Sequence, residues 1–390
     1  MTIHLVYVKG FSRATPTAIT NELAVRLAGR CKVRTYNFDD AGIIRPQPGD
    51  VLIGHPHPDP ASIFVQSCRQ EGWRKRIVMQ PFAHGRECLA GFARLNDLIQ
   101  NTDHFLAICA RYWIDTLAAS PLAHWAYKTR QLDLAVNRQH FPPIKRTWNP
   151  PGRRRFIYVG HTAAYKGVDC LAALADRNPH LHVAWMGPGQ IPSGHLKTLG
   201  YQRLADRSTQ QVLQDYDFLL TCGRADANPT TVLEAASLGL IPICTPQSGY
   251  YRQDWIVNIP LDDIEGASKV LDHMNTVDES ELATFRAHAE VALNSYYTWD
   301  RFAADVMACI EAPPACRPDD KAWRQTADAN AGVLAKIAAG SPTGEPRALR
   351  WTNPHRLKRT FRHGLKGVLV KARKKIWVAV RQQVAPELRH

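Results

Sequence analysis

The chain has 390 residues, 45% of them hydrophobic, an ordinary globular composition at a length that calls for two domains plus an extension. Its net charge of +14 is uneven: residues 344–390 hold 13 Lys/Arg and 2 Asp/Glu, against 36 and 33 in the first 343, so the body is not expected to bind nucleic acid. Nine scattered cysteines without a Cys-x-x-Cys pair argue for reduced thiols in the cytoplasm, and the chain has neither a signal-peptide h-region nor the ~18-residue apolar run of a membrane-spanning helix.

The first predicted strand covers residues 4–8 and ends at Gly10. Further buried strands are expected at 51–54, 76–79, 105–109 and 132–136, with helices at 17–27 and 112–117 among them. This βαβ rhythm predicts a parallel sheet with helices on both faces. Phe141-Pro-Pro143 and Trp148-Asn-Pro-Pro-Gly152 break it and read as an interdomain linker. A second series of strands follows at 156–160, 182–186, 218–222, 241–245 and 255–259, with helices at 168–176, 208–213 and 230–238. The expected division is a first α/β domain at 1–147 and a second at 148–298. A helix at 299–311 closes the second domain or crosses back to the first. A loosely packed connector rich in Pro, Ala, Asp and Gly follows at 312–346, then a basic tail at 347–390. Two doubly wound domains leave a cleft, and ligands of such sheets sit beyond the carboxyl ends of the strands.

The most informative segment is Asp226-Ala-Asn-Pro-Thr-Thr-Val-Leu-Glu234, which sets two carboxylates eight positions apart across a helix start. Asn228 suits an N-cap, Pro229 the first helical position, and Gly239 the stop. The N–H groups of such a helix start attract an anion. Lys166, in the loop after Gly160, brings an ammonium to a second helix start. A lone loop lysine is ordinarily just solvated; the companion segment one half-sheet later favours phosphate binding. An acid/base pair of a glycoside hydrolase would also use two carboxylates but has no need of phosphate-binding features. Asp215-Tyr-Asp217 has the form of a metal-binding Asp-x-Asp, yet it precedes its strand and reads as a solvated strand entrance. Gly54-His55-Pro-His57-Pro-Asp59 lacks a third ligand group, so no metal is expected.

These elements carry a resemblance. Gly160-His161 with Lys166-Gly167, Met186-Gly187-Pro188-Gly189, Leu199-Gly200-Tyr201, the 226–234 segment and Trp299-Asp-Arg-Phe302 occur in one order. The span from about 155 to 310 so resembles the nucleotide-binding domain of GT-B glycosyltransferases of the retaining family 4 type. Ala135-Val-Asn-Arg-Gln-His-Phe-Pro142 is similar to the segment leading into that family's linker. The resemblance implies a GT-B fold: two Rossmann-like doubly wound domains facing a cleft, here with a basic helical C-terminal tail. It implies a metal-independent enzyme without a cofactor, moving a hexose-type sugar from a nucleotide-diphosphate donor to a glycan or lipid-linked acceptor. In that reading Lys166 holds the diphosphate, and Asn228, Pro229 and Thr230 present the helix start to the distal phosphate and the sugar. Glu234 accepts from the ribose hydroxyls, Asp226 from the transferred sugar, and Gly187 lets backbone approach the nucleotide. His84 matches the histidine that touches the donor sugar, with His55 and His57 as alternatives, and Gly10 the loop where acceptor and diphosphate meet. Two departures stand out: Asp226 replaces the family's glutamate, and His161 replaces its phosphate-binding arginine, for which Arg224 is a candidate substitute.

In the tail, Phe361, Leu365, Val368, Leu369, Ala372, Ile376, Ala379 and Val380 recur at helical spacing among basic residues. Such a helix can lie on an anionic membrane surface, here the inner face of the cell membrane. The competing reading of the chain is a catalytically impaired GT-B scaffold acting as a membrane-associated binding partner.

Overall fold

The structure, a computed structural model, describes residues 1–9 and 15–340. Gly10 and the 347–390 tail lie outside the described residues.

The first sheet contains β1 (Thr2–Tyr7), β2 (Lys32–Asn37), β3 (Val51–Gly54), β4 (Lys75–Pro81), β5 (His104–Ile108) and β6 (Thr129–Gln131). Their spatial order is β2-β1-β3-β4-β5-β6, every neighbouring pair parallel. The second contains β7 (Arg155–Val159), β8 (His182–Met186), β9 (Lys197–Thr198), β10 (Phe218–Thr221), β11 (Ile241–Cys244) and β12 (Val257–Asn258). Here the order is β12-β11-β10-β7-β8-β9, again all parallel. The α-helices are α1 (Thr15–Leu27), α2 (Ile63–Cys68), α3 (Arg86–Gln100), α4 (Arg111–Asp115), α5 (Val168–Arg177), α6 (Arg207–Leu213), α7 (Thr230–Leu238), α8 (Ile264–Thr276), α9 (Glu279–Ser295), α10 (Trp299–Glu311) and α11 (Lys321–Gly340).

Helices on both faces explain why central strands read as unbroken apolar runs: Phe218-Leu-Leu-Thr221 is buried at every position. Strand order reverses between β1 and β3 and between β7 and β10. At such a switch point the connections leave in opposite directions and a crevice opens at the carboxyl ends. The loops after β7 and β10, far apart in sequence, are therefore neighbours there. A single apolar cluster runs from Ile3 and Leu5 through Leu132 and Phe141 to Leu233 and Phe302, joining the two lobes.

α10 crosses back and packs on α1. Lys75, almost fully buried, donates its Nζ to the carbonyls of Ile310 at 2.7 Å and of Ala312, so a lysine of the first lobe caps this helix's C-terminus.

Several expectations need correction. The strand expected at 132–136 is β6 at Thr129–Gln131; residues 132–136 are buried, but Val136 N donates to Tyr297 O and not to a strand. β2 was not expected, because an edge strand with half-exposed, alternating side chains shows no apolar run. Within the expected loose connector, α11 is a 20-residue helix that packs on α3 and buries Ala327 and Leu334. Asp217 is not a solvated strand entrance: it is 0% exposed, ion-paired to Lys145 Nζ at 2.9 Å, and accepts from the backbone of Asn149 and Arg155.

Candidate nucleotide-sugar site

Two loops form the crevice of the second lobe. The first leaves β7 at Gly160 and makes a 3-10 turn over Ala164–Lys166. Gly167 then enters α5 with φ +64°, and a Cβ there would stand 1.8 Å from the Cys222 carbonyl oxygen. Only glycine lets the turn rest on the end of β10. The second loop follows β10: the amides of Arg224 and Ala225 both donate to Tyr165 O, at 2.8 and 3.2 Å. These backbone bonds bring Lys166 Nζ to 2.5 Å from Asp226 Oδ2, with side chains only 15% and 10% exposed. The ammonium also lies 5.2 Å from the centre of the Tyr165 ring.

α7 begins at Thr230, and its N-cap is Pro229, one position later than the residue types suggested. Asn228 is not the cap because its amide is engaged elsewhere: Nδ2 donates to Asp133 Oδ1 at 3.0 Å, and Oδ1 accepts from Tyr250 OH at 3.1 Å. Gly239 ends the helix with φ +97°, as expected. Glu234 sits one turn after Thr230 and is buried. Gly187 closes the far side: a Cβ there would stand 1.9 Å from the Gly160 carbonyl oxygen, so the 187–189 turn lies directly on the first loop.

His161 lies at the surface of this loop. Its Nδ1 accepts from Ala163 N at 3.2 Å, which makes Nε2 the protonated nitrogen, donating to Tyr165 OH at 3.0 Å. The surrounding protein, and then Lys166, lower its pKa, so the ring is neutral at pH 7. Arg224, the candidate substitute for the arginine that His161 replaces, has its guanidinium held by Asp169 at 2.7 Å and Asp262 at 2.5 Å.

The first lobe closes directly on the 224–228 loop. Ala110 N donates to Ala227 O at 3.0 Å, and Trp113 Nε1 to Asp226 O at 2.9 Å. A Cβ on Gly85 would stand 2.5 Å from the Ala225 Cβ. His84 packs edge-on against Trp113, with ring centres 4.9 Å apart, and its Nε2 donates to Trp113 O at 3.2 Å. Burial lowers its pKa, leaving a neutral imidazole with an unprotonated Nδ1. His84 thus meets the Asp226 loop through Trp113. His55 is buried between Tyr7 and Phe38, donates Nδ1 to Pro56 O at 2.8 Å, and has its pKa lowered to about 4 by burial. His57 Nδ1 accepts from the Asp59 amide at 3.1 Å. No sequence signal marks Asp133 or Trp113; neither lies in a motif, and both meet the 226–230 loop only through the fold.

No protein-family model and no curated protein matches the chain. Solved structures do. A sucrose-phosphate synthase from Thermosynechococcus elongatus superposes with a TM-score of 0.58 at 11% identity, over 79% of this chain and 98% of its own. A glycosyltransferase from Rickettsia africae gives 0.55 at 10% identity, over 80% and 99%. Anabaena HepE, solved with UDP and glucose, gives 0.54 at 10% identity, over 80% and 99%. The two parallel six-stranded sheets and their helices therefore form the GT-B fold of these glycosyltransferases.

Proposed function

We propose that the chain is a glycosyltransferase that takes a sugar from a nucleotide-diphosphate donor held at the loops after β7 and β10. The observation that carries this reading is the convergence of Lys166, Asp226 and the start of α7 at the switch point, with Glu234 one turn further on. That HepE was solved with UDP, with UDP-glucose and with UDP and glucose supports a hexose-type donor on a uridine nucleotide.

The chemistry follows from charge. The bond from the anomeric carbon to the diphosphate breaks, and negative charge grows on the leaving oxygen. Lys166 and the α7 N–H groups stabilise that charge without a metal ion. Asp226 accepts from hydroxyls of the transferred sugar, and Glu234 from the ribose diol. With no nucleophile assigned, transfer with retention proceeds by front-side attack: the acceptor hydroxyl bonds to the anomeric carbon and yields its proton to the departing diphosphate. The acceptor is a glycan or lipid-linked sugar, brought to an anionic membrane face by the 347–390 tail.

Isothermal titration with UDP-, GDP- and ADP-sugars tests this reading. One donor is expected to bind, and Glu234→Ala is expected to weaken it at least ten-fold. Absence of binding by every donor overturns the reading and leaves the impaired scaffold.

A further inference from the structure

We propose that Asp133 is a positioning residue of this site, a hinge pin that fixes the 226–230 loop to both chain crossings between the lobes; the proposal rests on reading that loop as part of the donor site.

Asp133 is 2% exposed, and both carboxylate oxygens are used. Oδ1 accepts from Asn228 Nδ2 at 3.0 Å; Oδ2 accepts from Gln131 Nε2 at 2.6 Å and Tyr296 OH at 2.7 Å. Its backbone carbonyl accepts from Arg301 NH2 at 2.5 Å. The Arg301 guanidinium lies 4.5 Å from the centre of the Tyr296 ring and pairs with Asp305 at 2.6 Å. Burial pushes the carboxyl pKa up, and these donors pull against that shift. A buried carboxylate is costly unless hydrogen-bonded, and packing alone would be served by an apolar side chain.

Its partners come from three places. Asp133 lies two residues after β6, on the path into the 141–152 linker. Tyr296 and Arg301 flank the return crossing from α9 to α10. Asn228 lies two residues after Asp226 and two before Thr230. One carboxylate so joins the outgoing crossing, the return crossing and the loop that presents both Asp226 and the α7 N–H groups. Opening of the lobes must stretch these bonds, and a change in the Asn228 amide moves the Asp226 carboxylate and the helix mouth together.

The test uses the full chain with Asp133→Ala and Asp133→Asn. Hydrogen exchange without ligand reads the positioning itself. Asp133→Ala is expected to raise exchange at 226–234 at least ten-fold while the β1 and β7 amides stay protected, and to weaken UDP binding about ten-fold. Asp133→Asn, which keeps one acceptor oxygen, is expected to restore most of both. If Asp133→Ala does not fold, Tyr296→Phe removes a single bond and is expected to give a smaller change in the same segment. Unchanged exchange at 226–234, or exchange raised equally across both lobes, overturns the hinge pin. If the wild type binds neither UDP, GDP nor ADP, the donor reading fails by itself, and the exchange result still decides the role of Asp133.

Discussion

Lys166 and Asp226 neutralise one another across 2.5 Å, so in the proposed reading a donor diphosphate competes with a carboxylate for the ammonium. This makes two substitutions at one pair act in opposite directions. A charged hydrogen bond is worth about 1.5–3 kcal/mol, and the remaining exposure of 15% and 10% lowers this pair to about 1–2 kcal/mol. At about 1.4 kcal/mol per decade, Asp226→Asn is expected to tighten binding of UDP, which carries no sugar, by about 5- to 30-fold. Lys166→Ala is expected to weaken it by about 10- to 100-fold through loss of the charged contact. With Lys166 already replaced, Asp226→Asn is expected to have no tightening effect. Sugar transfer is expected to fall in both single variants, because Asp226 is assigned to the sugar. Isothermal titration at two salt concentrations measures the affinities, with the smaller loss from Lys166→Ala at high salt. Equal weakening of UDP binding by both single variants would refute the competition argument.

Three further outcomes are expected. Asp217→Ala leaves the buried Lys145 ammonium without its carboxylate and is expected to destabilise the fold by about 3–5 kcal/mol, read by urea unfolding; a loss below about 1 kcal/mol contradicts the burial argument. His55 and His124 are buried with their pKa values lowered from 6.5 to about 4, so the unfolded chain binds more protons between those pH values and stability is lost as pH falls through that window. At pH 5 the loss is about 2 kcal/mol per histidine relative to pH 7.5, and His55→Asn with His124→Gln is expected to flatten the profile. The full chain is expected to float with anionic vesicles, whereas a chain ending at Gly340 stays in the soluble fraction; equal flotation overturns the proposed membrane role of 347–390.

Most of the second lobe was legible in the sequence. Strands at 156–160, 182–186, 218–222 and 241–245 match β7, β8, β10 and β11 to within a residue or so, because strands buried on both faces are apolar throughout. α7 was bounded on both sides by local chemistry, with Pro229 before it and the left-handed Gly239 after. The edge strand β2 and the helix α11 carry no such local signal. One alternates polar and apolar residues, and the other lies where Pro, Asp and Gly suggest a chain without packing partners.

Residue type and spacing alone mark which residues could meet an anion: two carboxylates around a helix start, a lysine beside another, and glycines where backbone must approach backbone. Those are local properties of residue type and spacing. What these residues hold follows from long-range contacts. The tertiary structure set Lys166 on Asp226, gave Arg224 to Asp169 and Asp262, and drew Asn228 away from the cap to Asp133. It also turned the expected strand entrance at Asp217 into a buried ion pair. Hydrogen-bond partners 55 to 95 positions apart are chosen by strand order and loop closure, and no local pattern of residues encodes those.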